Sequence, residues 1–431
     1  MVEWKQRRIH VHHALTAGVA AFCALLSGCG GGDNGPLPIA TRVVYIETNA
    51  TAANTNAVVA YRQDSNGRLT LINSYSTGGN GTKDPSLSPS GVLDTDKSVI
   101  INSARRQLFA VNQGSDTIAV FKINSDGTLT IVPGSPFPSG GHAPVSLGLS
   151  NNDTVLTVVN SSLDPARNTS DIAPNYTSFK VATNGALTPI ANSTISLPAG
   201  GGPSIALPAN GGSLLFGTNF LTSQLTAYQV SSTGVLAQAA GSPHTSDASI
   251  FTGAAAGKPT NVLGVGVHPN ASLHLVYFNF PLAGLLGVYS YDSSGTLTLV
   301  RAVPNSGGAA CWIVINNAGT RLYTSNALSG DISVFDIGTD PTTPTQIQKL
   351  SVTSTVGSQT LTGNPWQLSL DPSNQFLYVL TPRDLGNTPA GQGNTIQVLQ
   401  VAADGTLSLV SNSTVTISVP LDDSPQGIAV L

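Results

Sequence analysis

The side chains that could take part in chemistry are few in this chain, and the first of them is a histidine. His142 lies in a glycine-rich segment, residues 140–144, just before a predicted strand. A loop histidine of this kind can act as a general base, and lysine or arginine can hold a carboxylate or phosphate. Each candidate could instead be an ordinary solvated loop residue. Besides His142, the candidate ligand-binding residues are Lys258, Arg167, Asp171, Arg383 and Asp384.

Other reactive groups occur in weaker patterns. Asp94 and Asp96, and the pair at 422–423, could supply oxygens to Ca²⁺, but neither spacing completes a calcium-binding loop. We therefore expect no cofactor, with Ca²⁺ as the alternative. Cys311 has no base near it in the sequence, and we expect it to be inert core packing.

A repeated pattern supplies the elements that position these residues. An aromatic residue or Leu is followed by Gly six residues later and by Leu two residues after the Gly. The flanking residues alternate as strands do, and Gly allows the positive φ that a hairpin turn needs. The copies begin at Tyr61, Phe121, Phe179, Tyr228, Tyr289 and Leu399, with a degenerate copy at Phe335 in which Pro341 replaces the Gly.

A second hairpin precedes each copy, and its return strand almost always ends in Asn, as at Asn112 and Asn160. An asparagine there can bond its own backbone and start a turn, so we predict a scaffold role. Each unit then has four strands, A to D, and four-stranded sheets repeated radially form a β-propeller. We predict an all-β, seven-bladed propeller over residues 41–431. Its ring closes by pairing of the terminal strands, since the unit beginning at Arg42 lacks the inner strand that residues 426–431 supply.

The propeller architecture favours one face for binding. The D-to-A and B-to-C loops share the face at the mouth of the central channel, and the A-to-B and C-to-D turns share the other. The first set of loops is long and variable here, and variable loops on a rigid ring usually carry binding sites. All the candidate residues above fall in this set. His268 is predicted to lie in a turn of the opposite face and His274 in a strand, both with structural roles.

The composition excludes one class of partner. Charged residues make up 9% of the chain, and the formal net charge is −4. Without a basic patch, a nucleic acid is not expected as a partner. We expect a monomer whose mouth binds a small molecule or a protein. Glu47 is the only glutamate after the N-terminal leader, and we expect no glutamate on the mouth face.

The N-terminal segment carries a targeting signal. A basic start and a short apolar run precede Cys29, and the segment 26–29 resembles the lipobox of bacterial lipoproteins. The resemblance implies a signal peptide over 1–28, diacylglycerol on Cys29 and a flexible tether over 29–40. An ordinary secretory signal is the alternative. We expect a lipid-anchored protein of the cell envelope, in the outer rather than the inner membrane because Gly30, not Asp, follows Cys29.

The repeats also resemble a known family. The hairpin at 121–129 and strands such as 321–326 are similar to those of the seven-bladed lactonase family, which includes 6-phosphogluconolactonase-like and YVTN-repeat propellers. The resemblance covers roughly residues 40–431 and implies the propeller fold. It also implies an active-site histidine before an inner strand, for which His142 is the match. A second family segment would fall at 160–164.

Two functions of different classes follow. The first is an envelope-anchored propeller that binds a ligand or a protein at its mouth without catalysis. The second is a lactone hydrolase, whose substrate would lie outside the cytoplasm because the protein is expected to be exported. The mouth face is expected to offer one histidine, a few cations and no glutamate. The sequence therefore favours the binding module, and we expect no lactonase turnover.

Overall fold

The repeated hairpins pair into seven antiparallel blades, so the predicted all-β, seven-bladed propeller is confirmed. The computed structural model describes residues 42–82, 96–104, 106–164, 166–167, 171–356, 359–362, 364–382, 393–419 and 423–431. Cys29 and the segments predicted as signal peptide and tether lie outside these residues. Blades are numbered along the chain, and the strands of each blade are lettered from A, next to the channel, to D, at the outer edge.

The first four blades contain strands β1 to β17 and borrow one strand from the C terminus. Blade 1 contains β1 (Val43–Glu47), β2 (Ala57–Gln63) and β3 (Leu69–Ser76). Blade 2 contains β4 (Val99–Ile101), β5 (Gln107–Asn112), β6 (Thr117–Ile123), β7 (Leu129–Ile131) and β8 (Phe137–Pro138). Blade 3 contains β9 (Pro144–Ser150), β10 (Val155–Asn160), β11 (Asn175–Val181) and β12 (Leu187–Ser196). Blade 4 contains β13 (Leu207–Ala209), β14 (Leu214–Asn219), β15 (Gln224–Val230), β16 (Leu236–Gln238) and β17 (His244–Thr245).

The remaining strands form blades 5 to 7 and one separate hairpin. Blade 5 contains β18 (Leu263–Val267), β19 (Leu275–Phe280), β20 (Leu285–Tyr291) and β21 (Leu297–Pro304). Blade 6 contains β22 (Ala310–Ile315), β23 (Arg321–Asn326), β24 (Asp331–Asp336) and β25 (Thr345–Ser351); β26 (Thr353–Val356) and β27 (Gln359–Thr362) form the hairpin. Blade 7 contains β28 (Leu368–Leu370), β29 (Phe376–Thr381), β30 (Thr395–Val401), β31 (Leu407–Leu409) and β32 (Val415–Thr416), and β33 (Gln426–Val430) completes blade 1.

Helical structure in the described residues is limited to single 3₁₀ turns at Gln113–Ser115, Asn210–Gly212, Ala248–Ile250, Gly253–Ala255 and Ala271–Leu273. None of the helices among these residues is long and apolar enough to cross a membrane.

The glycine of the repeat lies in a hairpin turn, as its spacing predicts. It occupies the C-to-D turn with positive φ, for example +82° at Gly127 and +84° at Gly405. In the blade 2 turn, the Asp126 carboxylate accepts hydrogen bonds from the backbone N–H and the hydroxyl of Thr128. Gly therefore removes the steric cost of the left-handed conformation while its neighbours close the hairpin.

The ends of the chain close the ring as predicted. Strand β33 pairs antiparallel with β1, which places Ala429 opposite Tyr45. The N–H of Leu431 also donates a 2.9 Å hydrogen bond to the carbonyl of Val43. The C-terminal strand is thus the inner strand of blade 1, and its side chains pack into the clusters on both sides of that blade, with Ala429 facing blade 2 and Ile428 facing blade 7.

The asparagines that end the B strands have the predicted scaffold role, but most bond a different partner. The amide of Asn160 donates to the carbonyl of Ser139, in the preceding D-to-A loop. Asn49 donates to the carbonyl of Ser424 in the same way and also to that of Thr82 in the following loop, and Asn219 accepts from the N–H of Gly202. These side chains therefore fix the mouth loops to the ends of the strands, which holds the residues of the mouth in place.

Candidate active site at the channel mouth

Three loops of blades 2 and 3 form one polar cluster at the mouth. His142 lies in the D-to-A loop before β9, and Arg167 lies in the B-to-C loop after β10. Asp116 lies between them, in the B-to-C loop of blade 2. The structure therefore brings together two of the predicted site residues, His142 and Arg167, through an aspartate that the sequence analysis did not select.

Asp116 is the centre of this cluster. Its carboxylate accepts a bidentate pair from Arg167, at 2.7 Å from Nη1 and 2.8 Å from Nη2. It also lies 2.9 Å from Nδ1 of His142 and accepts a 2.8 Å hydrogen bond from the N–H of Ala143. Asp116 has left-handed backbone geometry, with φ of 56°, which few residues other than Gly, Asn and Asp adopt easily. The backbone therefore aims this carboxylate at the neighbouring blade.

A second aspartate holds Arg167 from the other side. Asp164 accepts a 2.6 Å hydrogen bond from Nε of Arg167 and others from the N–H of Ala166 and the hydroxyl of Thr82. Its side chain is almost completely buried. Thr82 belongs to the loop between blades 1 and 2. This network therefore connects Arg167, in blade 3, to blade 2 and to the loop that leaves blade 1.

The charges of the cluster stabilise one another. Burial alone would raise the pKa of Asp116, but the hydrogen bonds from Arg167 and Ala143 together with the charge of Arg167 lower it below the ordinary value. Burial alone would lower the pKa of Arg167, but Asp116 and Asp164 raise it. Both side chains are therefore charged at neutral pH.

The ionised carboxylate determines the tautomer of His142. A carboxylate can only accept, so Nδ1 of the neutral imidazole must carry the hydrogen. Nε2 then has the free electron pair. The His142 side chain is 42% exposed, so a bound molecule can reach the ring. A histidine whose ring is oriented by a partly buried carboxylate has the arrangement of a general base.

A glutamate also lies at this end of the ring, so the expectation that the mouth face has none is wrong. Glu47 ends β1 on the mouth side and is only 1% exposed. Its Oε1 accepts a 2.7 Å hydrogen bond from Nδ2 of Asn56, and Oε2 has no hydrogen-bond partner among the described residues. Burial raises the pKa of Glu47 well above its ordinary value. Its hydrogen bond leads to Asn56 and not to His142.

The other predicted site residues do not join this cluster. Lys258 and Asp171 are exposed loop residues, and neither makes an ion pair within the part of the chain that the structure describes. Arg383 and Asp384 lie outside the described residues. Cys311 is buried against Trp312 as expected for core packing.

The predicted carboxylate pairs are only half described, because Asp94 and Asp422 lie outside the described residues. Asp96 is buried, and burial raises its pKa. Asp423 accepts hydrogen bonds from the N–H and hydroxyl of Thr51. No group of three or more His, Cys, Asp or Glu side chains suited to a metal occurs among the residues described.

The two histidines predicted to be structural lie on the opposite face. His268 is buried, its Nε2 is 3.1 Å from the carbonyl of Gly319 in the next blade, and its Nδ1 accepts from the N–H of Asn270. It therefore links blades 5 and 6. His274 is exposed and has φ of 50° in the turn that precedes β19, so its predicted place within a strand is wrong.

The sequence offered a partial signal for the missed residues. Asp116 and Asp164 each follow a B strand, and both lie in the loops of the favoured face. To select them, one must know that these two loops meet the segment around His142. That contact depends on how the blades pack. Glu47 could have been noticed as the only glutamate of the predicted domain, next to a strand end.

Comparisons with known proteins agree with this architecture. The family model described as lactonase, 7-bladed beta-propeller, matches residues 54–167 and 282–388, which together make up just over half of the chain. No curated protein sequence matches the chain significantly.

Solved structures share the fold at low identity. A protein of Bacteroides uniformis provisionally described as a 6-phosphogluconolactonase is 15% identical with a TM-score of 0.64, over 91% of this chain and 99% of its own. The periplasmic gluconolactonase of Pseudomonas aeruginosa is 14% identical with a TM-score of 0.63, over 90% of this chain and 99% of its own. A protein of Lactobacillus plantarum is 17% identical with a TM-score of 0.59, over 91% and 99% of the two chains. These similarities establish the fold, and the match to the family model shows that the chain belongs to the lactonase family of seven-bladed β-propellers.

Proposed function

We propose that the protein hydrolyses a lactone at the mouth of its channel, with His142 as the general base. The observation that carries this proposal is the 2.9 Å contact between Nδ1 of His142 and Asp116, which leaves Nε2 as the acceptor on a partly exposed ring. The sequence alone ranked catalysis second because the mouth face was expected to offer one histidine, a few cations and no glutamate. Membership of the lactonase family supports the same reaction class.

The reaction follows from the residues present. Nε2 of His142 takes a proton from a water molecule as that water attacks the lactone carbonyl carbon. Asp116 stabilises the imidazolium that forms, and Arg167 keeps Asp116 ionised and in place. When the tetrahedral intermediate collapses, the ring C–O bond breaks and the imidazolium returns the proton to the leaving alkoxide. The product is the open-chain hydroxy acid.

The charge of the cluster indicates the substrate class. The positive charge of Arg167 is offset by Asp116 and Asp164, so the described part of the site has no excess positive charge. A phosphorylated substrate would need free cations there. The proposed substrate is therefore an uncharged lactone. Of the structural neighbours, the Pseudomonas aeruginosa protein is named for a lactone without a phosphate, whereas the Bacteroides uniformis protein is described by a phosphorylated one.

The proposed cellular context is the bacterial envelope, with lipid on Cys29 and the outer membrane favoured over the inner. The proposed form there is a monomer whose mouth binds a soluble small molecule.

Hydrolysis is tested with a panel of sugar and alkyl lactones. We expect turnover above the uncatalysed rate by the wild-type protein and a loss of about 10²- to 10⁴-fold in His142→Ala, the usual cost of removing a general base. His274→Ala is the matched control, because His274 is also exposed but lies on the opposite face. Absence of turnover on the whole panel, or turnover that survives in His142→Ala, would overturn the proposal.

Ligand binding without catalysis is the second candidate. It is favoured by the engagement of Arg167 with two carboxylates, because none of the other cations within the described residues contacts His142 to stabilise an oxyanion. Saturable binding of a lactone with no hydrolysis over hours would support this candidate and exclude the first.

A further inference from the structure

A cavity lies on the face opposite the mouth. It has a volume of about 480 Å³, which falls in the range of about 300–1,000 Å³ usual for small-ligand sites. The A-to-B turns of blades 3, 4 and 5 form most of its wall, with Tyr291 from the end of β20 and Ser103 from blade 2. The cavity therefore lies at the other end of the ring from His142.

Three other blades carry a capping side chain at the corresponding turn. In blades 2, 6 and 7, the residue opposite the first residue of the B strand caps the A-to-B turn with its side chain. Asn102, for example, accepts from the N–H groups of Arg106 and Gln107, at 2.8 and 3.0 Å. Asn316 and Asp371 make the corresponding pairs of hydrogen bonds in their own blades. The cap thus satisfies two backbone N–H groups of the turn.

Blades 3 and 4 lack this cap. The equivalent residues are Ser150 and Ala209, and both line the cavity. Ser150 is 3% exposed, and its hydroxyl has no hydrogen-bond partner among the described residues. Two capping side chains are thus missing at this cavity, and a buried hydroxyl remains there unsatisfied.

Tyr291 gives a second, independent indication. It occupies the position two residues after the first residue of the repeat, where five other blades have an aliphatic residue: Ile123, Val181, Val230, Ile337 and Val401. Tyr291 lines the cavity and is 4% exposed, and its hydroxyl also has no partner among the described residues. An aliphatic side chain would avoid this cost, since buried polar groups are nearly always hydrogen-bonded. A bound molecule would supply the missing partner to both hydroxyls.

The lining determines the class of ligand. No lysine or arginine occurs among the described lining residues, and the one carboxylate, Asp153, accepts hydrogen bonds from Ser103. Anionic ligands are therefore disfavoured. Apolar walls from Leu207, Pro208 and Val267 lie beside the two hydroxyls. We propose that this cavity binds a neutral polyhydroxylated molecule, a mono- or disaccharide, independently of the site at the mouth.

The test uses glucose and maltose as probes with the full-length protein, in ligand-observed NMR titrations. We expect saturable binding that Tyr291→Phe and Ser150→Ala each weaken by about threefold to tenfold, the usual effect of one lost hydrogen bond. Ala209→Asn places a larger side chain in the cavity and should abolish binding. Tyr228→Phe is the matched control, because it removes a buried tyrosine hydroxyl of another blade that does not line the cavity.

Two further binding measurements complete the test. His142→Ala should bind both sugars as the wild type does, and glucose 6-phosphate should bind more weakly than glucose. No binding of either sugar, or equal binding by wild type, Tyr291→Phe and Ala209→Asn, would overturn the proposal. Tighter binding of glucose 6-phosphate than of glucose would overturn the assignment of a neutral ligand.

Discussion

The hydroxyl of Tyr45, in blade 1, donates a 2.8 Å hydrogen bond to the carbonyl of Gly127, in the C-to-D turn of blade 2. In the same way, the hydroxyl of Tyr323 in blade 6 donates a 3.0 Å hydrogen bond to the carbonyl of Gly405 in blade 7. Tyr277 reaches the carbonyl of Pro341, the residue that replaces the Gly in the degenerate repeat. The repeated turn is thus both the end of a hairpin and the acceptor that ties one blade to the next.

A substitution at Gly127 tests this double role. A Cβ added to Gly127 would lie 2.5 Å from Cγ2 of Val43, and φ is +82°. We expect Gly127→Ala to destabilise the protein by about 1–2 kcal/mol for the backbone conformation and about 1–3 kcal/mol more for the clash. Gly200→Ala is the matched control, with φ of +76° and no atom within 4 Å. Urea unfolding that shows equal losses in both variants would contradict the packing argument.

The buried carboxyl of Glu47 predicts a pH-dependent stability. Its pKa is raised in the folded state, so its contribution is most favourable below the ordinary value of 4.5 and is lost as the pH rises through the folded-state pKa. We expect Glu47→Gln to melt about 2 °C or more above the wild type at pH 8, with little difference at pH 4.5. Gln keeps the acceptor for Asn56 and carries no charge. A variant that melts below the wild type at pH 8 would show that Glu47 is stabilised as the anion.

The fold was predictable from the sequence because its signals are local. The Gly127 turn and the strands on either side of it lie within one short segment, and a positive φ at Gly is a property of that segment alone. The closure of blade 1 by residues 426–431 was also predictable, since Arg42 begins a unit without an inner strand and residues 426–431 have the pattern of one.

The site was only partly predictable because it depends on contacts between blades. His142 was identified from its place before an inner strand. Its partner Asp116 comes from another loop, and its direction depends on a left-handed φ that the sequence does not reveal. Arg167 was read as a ligand-binding cation, whereas the structure uses it to hold Asp116 and Asp164.

Closure of the ring predicts a strong effect of truncation. Deleting residues 421–431 removes β33, which leaves the inner edge of β1 unpaired and uncovers the clusters that contain Ile428 and Ala429. We expect the truncated protein to aggregate or to melt more than about 10 °C below the full chain, measured by circular dichroism. Melting within a few degrees of the full chain would show that the terminal pairing is not needed for the ring.

The predicted anchor is tested in whole cells. We expect Cys29→Ala to move the protein from the membrane fraction to the soluble fraction, since one thioether-linked diacylglycerol is the proposed attachment. Cys23→Ala, which changes a cysteine within the predicted signal peptide, should leave the protein on the membrane. A Cys29→Ala protein that stays membrane-bound after a high-salt wash would exclude the lipoprotein interpretation.

The pairing of Asp116 with His142 makes the sharpest prediction about catalysis. In Asp116→Asn the amide can donate to Nδ1, which would move the hydrogen to Nε2 and remove the free electron pair from the exposed side of the ring. We expect kcat to fall by about 10²- to 10⁴-fold with the fold intact by circular dichroism. Asp292→Asn, which changes an exposed C-to-D-turn carboxylate of blade 5, is the control and should retain full activity. If Asp116→Asn keeps its activity within about twofold, His142 does not act through the tautomer that Asp116 selects, and the proposed mechanism fails even if the protein hydrolyses lactones.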